Sequence, residues 1–192
     1  MDSYSSLIEL RKFVAPEIMF GVGARKLVGR YVENLGCGKA LFVTDEGILK
    51  TPWFSEVTQI LDEMSFPYTV FSSITPNPRE REAMEGAEVF HSSNCDSLIA
   101  LGGGSVMDCA KGIGIVSTNR KHVLEFEGVD KVEIPMPPLI CIPTTAGSSA
   151  DVSQFSIITN TSEKVKIAII SKAVVPDAAL IDPEVLLTMD NY

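Results

Sequence analysis

One stretch decides the fold: Ser97-Leu98-Ile99-Ala100-Leu101-Gly102-Gly103-Gly104-Ser105. Its first five residues predict a strand that is buried on both faces. The small apolar residues at 107–116 predict a helix that packs closely on a sheet. Between them, glycine allows positive φ and a close approach to a ligand, while free N–H groups at a helix start attract anions. The stretch therefore predicts a phosphate-binding turn, although glycines also suit a purely structural turn.

Short apolar strands alternate with amphipathic helices on both sides of this stretch. The predicted strands are 17–20, 40–44, 68–71, 139–142 and 179–181, and the predicted helices are 24–35, 53–64, 80–91 and 107–116. A further pair, 157–159 and 167–170, flanks a polar turn. This order predicts an α/β fold with a mostly parallel, doubly wound sheet.

The chain divides into one domain and a short tail. Residues 1–182 form the predicted α/β domain, and residues 183–192 the start of a linker or of the first helix of a second domain. Because no core element follows, we expect a partial chain.

Composition narrows the functional class. The 192 residues carry a net charge of -9, and the 16 basic residues are scattered, which argues against nucleic-acid binding. The four cysteines form no C-x-x-C pair, which indicates free thiols in a reducing compartment. No signal-peptide core and no run of 18 apolar residues is present, so we expect a cytoplasmic protein that does not interact with membranes.

Asp45 directly follows the predicted strand 40–44 and precedes the glycines by 57 residues. The ordinary dinucleotide fingerprint has its acidic residue about 20 positions after the glycines, so this is a different pattern. A carboxylate at a strand end can bind a ribose diol and repel a 2′-phosphate, which favours NAD over NADP. It can equally cap the segment that begins at Glu46, and both interpretations remain open.

A second polar loop, residues 144–149, follows the strand 139–142 and contains Thr144, Thr145 and Ser148. Ligands of open α/β sheets bind at such carboxyl ends, so two polar loops suggest two walls of one cleft. A plain Ser/Thr turn is the alternative. Asp108 and Lys111 either orient the glycine turn or face solvent.

Asn77 lies between Pro76 and Pro78, which predicts an extended turn because a residue before proline avoids the helical region. The sequence has no recognisable metal-binding or nucleophile motif. His91 and His122 are the only histidines, and neither a Gly-x-Ser-x-Gly elbow nor a phosphate-loop lysine is present. We therefore assign no catalytic residue and no metal ligand to this chain.

Four motifs in this order resemble the iron-containing (group III) alcohol dehydrogenase family. They are Val43-Thr44-Asp45, Pro76-Asn77-Pro78, Gly102-Gly103-Gly104-Ser105 with Asp108 and Lys111, and Pro143-Thr144-Thr145-Ala146-Gly147. The resemblance covers nearly the whole chain. It implies the N-terminal domain of a dehydroquinate-synthase-like fold, without the helical C-terminal domain that holds the metal.

The resemblance also implies the cofactor contacts. Asp45 would contact the adenosine ribose, Asn77 would lie beside the cofactor, and Lys166 would reach it. The pyrophosphate would bind to Gly102, Gly103, Gly104 and Ser105, with Asp108. The remaining contacts would be Thr144, Thr145, Ser148 and Ser153 on the adenine and nicotinamide side, and Leu186 as an apolar contact. Where relatives often have Thr-Gly-Ser-Glu, this chain has Ser148-Ser149-Ala150-Asp151.

The function implied is NAD-dependent oxidation of a primary alcohol to an aldehyde, or the reverse, by the full-length protein. Its Fe²⁺ or Zn²⁺ would be bound outside this chain, so the isolated fragment is expected to be inactive. A small-molecule alcohol or aldehyde and a second copy of the chain are the expected partners. A metal–NAD lyase of the dehydroquinate synthase type and a non-catalytic NAD-binding regulatory module are the alternatives.

Overall fold

The computed structural model describes residues 14–188. The strands are β1 (Glu17–Phe20), β2 (Ala40–Val43), β3 (Tyr68–Phe71), β4 (Ser97–Gly102), β5 (Gly128–Val129), β6 (Leu139–Pro143), β7 (Phe155–Asn160), β8 (Val165–Ile170) and β9 (Ala178–Ile181). The α-helices are α1 (Val28–Asn34), α2 (Pro52–Glu63), α3 (Glu80–Ser92) and α4 (Gly104–Asn119). Short 3-10 helices span Ala24–Leu27, Ile48–Lys50, Val123–Phe126, Lys172–Val174 and Pro183–Thr188.

A six-stranded sheet forms the centre of the fold. Its order is β1-β9-β6-β4-β2-β3, and every neighbouring pair is parallel. A second sheet has the order β5-β8-β7, in which β7 and β8 form an antiparallel pair. The α/β fold with a mostly parallel, doubly wound sheet is confirmed.

Both faces of the central sheet are covered, which explains why its strands are almost wholly apolar. In β4, Leu98 and Ala100 belong to the core cluster that contains the inner faces of α3 and α4. Ile99 and Leu101 belong to the opposite cluster, with residues of α1 and α2. The alternation follows from the two-residue period of a strand. Helices on opposite faces allow the chain to add strands first on one side of β2 and then on the other.

Some boundaries differ from prediction. The helix after the glycines begins at Gly104, three residues before the predicted start at Met107, because the turn itself forms the first helical turn. The predicted helix 24–35 divides into a 3-10 segment followed by α1. Asn77 is not extended: its φ of 59° is left-handed, a conformation that asparagine adopts more readily than most residues. Within residues 14–188, none of the helices has the length and apolar character needed to cross a membrane.

A cluster of charges around the buried pair Arg25 and Asp182 lies at the carboxyl end of the outer strands. Arg25, only 3% exposed, pairs with Asp182 at 2.5 Å, with Glu56 at 2.6 Å and with Glu184 at 2.6 Å. Its guanidinium also lies 4.7 Å from the centre of the Trp53 ring. Burial alone would lower the pKa of Arg25. The hydrogen bonds to the three carboxylates outweigh burial, so the pKa is raised above its ordinary value. We call these four charged residues the Arg25 cluster.

Candidate functional site

The candidate site lies where the direction of strand addition reverses, between β2 and β4. In the central sheet β3 lies on one side of β2 and β4 on the other, so the connections after β2 and β4 diverge. A crevice at such a point, outside the carboxyl ends of the strands, is the usual ligand site of this sheet type. The Thr44 hydroxyl donates to the Leu101 carbonyl at 2.8 Å, which joins the two strand ends beneath the crevice.

The glycine turn, residues 102–105, leaves no room for larger side chains. Gly102 has a φ of 158°, and a Cβ there would lie 2.8 Å from the Cβ of Val106. A Cβ on Gly104 would lie 2.9 Å from both Cβ and Oγ of Ser148. The loop after β6 thus packs directly against the turn, and the Thr144 N–H donates to the Gly102 carbonyl at 2.9 Å. The two polar loops predicted from the sequence do form walls of one crevice.

On one side of the turn lies a cavity of about 970 Å³, which we call the β2-side cavity. It extends from the turn to the loops after β2 and β3 and to the first turns of α3. The predicted site residues that line it are Asp45, Gly103, Gly104, Ser105, Thr144 and Thr145.

Asp45 performs the capping role and also faces this cavity. Its Oδ1 accepts the N–H of Gly47 at 2.8 Å and the N–H of Ile48 at 3.0 Å, so it caps the segment after β2. As a residue of the cavity lining it is also placed to meet a ligand. The two interpretations are therefore compatible, since a carboxylate has a second oxygen.

Glu82 is a buried carboxylate in this cavity that sequence reasoning missed. It is 2% exposed and accepts the Thr75 hydroxyl at 2.7 Å, together with the N–H groups of Thr75 and Arg79 at 3.3 Å. These bonds fix the turn after β3 to the start of α3. An acidic third residue of a helix is the sequence signal for such a cap.

On the other side of the turn lies a cavity of about 380 Å³, the β8-side cavity, whose outer wall is the β7–β8 sheet. The predicted site residues that line it are Asn77, Gly104, Ser105, Asp108, Ser148, Ser153 and Lys166. Gly104 and Ser105 line both cavities, so the glycine turn separates two connected compartments.

Asn77 joins three parts of the β8-side cavity. Its N–H donates to Ser105 Oγ at 3.1 Å, its carbonyl accepts the Thr159 hydroxyl at 3.3 Å, and its Oδ1 accepts from Lys166 Nζ at 2.6 Å. The left-handed backbone makes these contacts simultaneous. Asn77 thus places an exposed lysine of β8 opposite the start of α4.

Asp108 and Lys111 lie one helical turn apart on α4 but in different environments. Burial raises the pKa of Asp108 to about 6, against the opposing effects of the Lys111 charge and the Ile157 N–H. Lys111 is fully buried and donates to the carbonyls of Ser153 and Phe155, each at 2.8 Å. The solvent-facing alternative is therefore wrong for Lys111, which holds the loop before β7 against α4.

Two predicted contacts stand apart from the rest. Gly102 is buried at the end of β4, beneath the crevice. Leu186 is half-buried in the 3-10 helix Pro183–Thr188 and lines neither of the two cavities, so its cofactor contact stays a prediction.

The described residues do not suit a metal ion. Between residues 14 and 188 there is no group of three or more His, Cys, Asp or Glu side chains arranged to hold one. The site geometry instead suits an elongated anionic ligand that crosses the start of α4.

The sequence model of the iron-containing alcohol dehydrogenase family matches residues 15–183 of this chain. The chain belongs to this family. The match includes both polar loops, the glycine turn and the β7–β8 sheet, so it extends over nearly all of the described fold.

Individual relatives agree with this assignment. The chain is 36% identical over 175 residues to an NAD-dependent methanol dehydrogenase of Bacillus methanolicus, covering 91% of this chain and 46% of that enzyme. The structure of a 1,3-propanediol oxidoreductase superposes with a TM-score of 0.91 at 32% identity, covering 94% of this chain and 48% of that one. A sulfoacetaldehyde reductase from Bifidobacterium kashiwanohense in complex with NAD⁺ gives a TM-score of 0.81 at 28% identity, covering 94% and 48%.

The chain spans about half the length of the curated relatives it matches. The resemblance to the N-terminal domain of iron-containing alcohol dehydrogenases is confirmed. The relatives named above are alcohol oxidoreductases by name.

Proposed function

We propose that this chain is the NAD-binding part of a metal-dependent alcohol dehydrogenase, which interconverts a primary alcohol and its aldehyde. One observation carries the proposal: residues 104 and 105, at the start of α4, line two cavities at once. A dinucleotide has two nucleoside ends joined by a pyrophosphate, and this site has two compartments joined at a helix start. N–H groups at that position favour an anion.

In this proposal the adenosine end occupies the β2-side cavity. Asp45 contacts the ribose diol, and its negative charge disfavours a 2′-phosphate, so the chain prefers NAD to NADP. The pyrophosphate binds to the N–H groups of the glycine turn at the start of α4. Thr144 and Thr145 complete the wall opposite Asp45.

The nicotinamide end occupies the β8-side cavity. Bound NAD would supply the hydride-accepting carbon, and the protein supplies position and surroundings. Lys166, held by Asn77, and the hydroxyls of Ser148 and Ser153 offer polar partners around the ring and its ribose. Lys111 holds the backbone of Ser153 in place from beneath.

The Fe²⁺ or Zn²⁺ of the proposed enzyme is not assigned to the described residues. We propose that the full-length protein binds the metal elsewhere, and that the isolated chain binds NAD without turnover. A homo-oligomer and a cytoplasmic location belong to the same proposal.

Calorimetry with the 192-residue chain tests cofactor binding. We expect NAD to bind, NADP to bind more weakly, and ethanol with NAD to yield no NADH. The full-length protein loaded with Fe²⁺ or Zn²⁺ should form NADH from at least one primary alcohol. Absence of NAD binding to the chain would sink the proposal. NAD binding without any alcohol turnover by the metal-loaded protein would favour the regulatory module or the lyase over the dehydrogenase.

A further inference from the structure

We infer that Arg81 contacts the pyrophosphate of the bound cofactor, an inference that rests on the proposed function. Arg81 is exposed in the first turn of α3 and lines the β2-side cavity. Gly103, Gly104 and Ser105, where the pyrophosphate is proposed to bind, line the same cavity.

The start of α3 is fixed beside the glycine turn. The Asn77 N–H donates to Ser105 Oγ at 3.1 Å, only four residues before Arg81. The Thr75 hydroxyl and the Arg79 N–H both donate to the Glu82 carboxylate, and these bonds hold the intervening turn. A long, flexible arginine on this first turn can therefore reach an anion at the start of α4.

Arg81 differs in charge from the other ionisable residues that line the β2-side cavity. Its described lining includes four acidic residues, Asp45, Glu46, Glu82 and Glu85, and Arg81 is the one basic residue among that lining. Within residues 14–188 the Arg81 side chain makes no hydrogen bond or ion pair, although Glu85 lies one turn further along the same helix. Its donors are thus available to a ligand.

A pyrophosphate is the part of the cofactor that most needs this cation. Two negative charges placed in an acidic cavity are repelled, and a guanidinium offsets that repulsion while donating two parallel hydrogen bonds. A 2′-phosphate on the adenosine ribose would instead lie beside Asp45, where the carboxylate repels it. The inference therefore assigns Arg81 to the pyrophosphate rather than to cofactor discrimination.

The test compares ligands that contain or lack the pyrophosphate. Affinities for NAD, NADP, ADP-ribose and adenosine are measured by calorimetry for the wild-type chain and for Arg81→Ala, Arg81→Gln and Arg81→Lys. Arg30→Ala is the matched control, because Arg30 is an exposed arginine of α1 whose removal changes the net charge equally. Thermal unfolding of each variant checks that the fold is retained.

We expect Arg81→Ala and Arg81→Gln to weaken NAD and ADP-ribose by about tenfold, the equivalent of one charge-assisted contact. Adenosine should change by less than twofold, Arg81→Lys should recover part of the loss, and Arg30→Ala should behave as wild type. An unchanged affinity for ADP-ribose would overturn the inference. So would an equal loss for adenosine, which indicates stacking on adenine, or a larger loss for NADP than for NAD, which indicates a 2′-phosphate contact. A wild-type chain that binds neither NAD nor ADP-ribose would instead refute the proposed function itself.

Discussion

The glycine turn and the Arg25 cluster lie at the same edge of the central sheet and use polarity in opposite ways. At the outer strands, Arg25 pairs with three carboxylates, so the charges of that end are satisfied within the protein. At β2 and β4, the turn has three glycines and the small side chain of Ser105, and two cavities remain open around it. The candidate site is therefore not the whole carboxyl edge of the sheet. It is the part of that edge, around the glycine turn, that ion pairs within the protein do not fill.

Removal of Arg25 should have the largest effect and should affect stability alone. Arg25→Met leaves Asp182, which is 1% exposed, without its cation. Breaking a buried ion pair in this way costs about 3–5 kcal/mol in the free energy of unfolding. Urea unfolding followed by circular dichroism measures the loss, and NAD affinity of the folded variant should stay within about twofold.

Lys121→Met is the matched control for this variant. Lys121 pairs with Glu133 at 2.7 Å, but both side chains are exposed, so its removal should leave the urea midpoint unchanged. If folded Arg25→Met loses NAD affinity, the Arg25 cluster and the glycine turn are coupled. That result would contradict the expectation that the Arg25 cluster affects stability alone.

The pH dependence of the free energy of unfolding should reveal Asp108, which lines the β8-side cavity and, within residues 14–188, has no cation bound to it as Arg25 is bound to Asp182. The Asp108 pKa of about 6, against an ordinary 3.8, means that the folded chain holds this proton more tightly than the unfolded chain. The associated stability is therefore fully present below about pH 4 and is lost as the pH rises to about 6. Above that pH, the contribution changes no further.

Asp108→Asn reveals this contribution by difference. The unfolding free energy of wild type relative to Asp108→Asn should fall by about 3 kcal/mol between pH 4 and pH 7. Urea unfolding at several pH values measures it. If the free energies of unfolding of the two proteins change in parallel with pH, the raised pKa of Asp108 is contradicted.

Filling the glycine turn should affect binding more than folding. Gly104→Val places a branched side chain against Ser148, so the loop after β6 must shift at the point where both cavities meet the glycine turn. We expect NAD affinity to fall by about a hundredfold, or about 2.7 kcal/mol. Calorimetry measures the affinity, and thermal unfolding shows whether the domain remains folded.

Gly36→Ala controls for the loss of a glycine as such. Gly36 has a φ of 68° and no heavy atom within 4 Å of an added Cβ. Its replacement should cost about 1 kcal/mol of stability through backbone strain and leave NAD affinity unchanged. A Gly104→Val chain that binds NAD like wild type would mean that the open turn is merely structural.

The contrast between the two ends also explains what the sequence could reveal. The buried strands, their mostly parallel arrangement and the polar loops were predictable, because apolar runs and turn residues encode them locally. The Arg25 cluster was not, since Arg25 and Asp182 lie 157 residues apart. The burial of Lys111 was missed for a related reason: its partners are backbone carbonyls of a distant loop, and a lysine on a helix normally faces water.

The candidate site was predictable to the same extent. Asp45, the glycine turn and the loop with Thr144 all follow strands directly, so their meeting at one edge follows from a parallel sheet. The contact between Lys166 and Asn77 requires the β7–β8 sheet to fold over the turn, and only the family resemblance pointed to Lys166. Arg81 carries no motif, and its place in the cavity emerges only from the packing of α3.

The smallest effect is expected at Asp45, where the open end contains a charge that also caps a loop. Asp45→Asn keeps an oxygen that can accept the N–H groups of Gly47 and Ile48 but removes the charge. We expect the NADP-to-NAD affinity ratio to rise by about fivefold, because a repulsive element against the 2′-phosphate is lost. Asp45→Ala should raise the ratio similarly and also lower stability by about 1 kcal/mol through loss of the cap. Calorimetry with both cofactors and thermal unfolding separate the two roles. A ratio unchanged in both variants would leave Asp45 with the capping role alone, and discrimination would then have to come from elsewhere in the β2-side cavity.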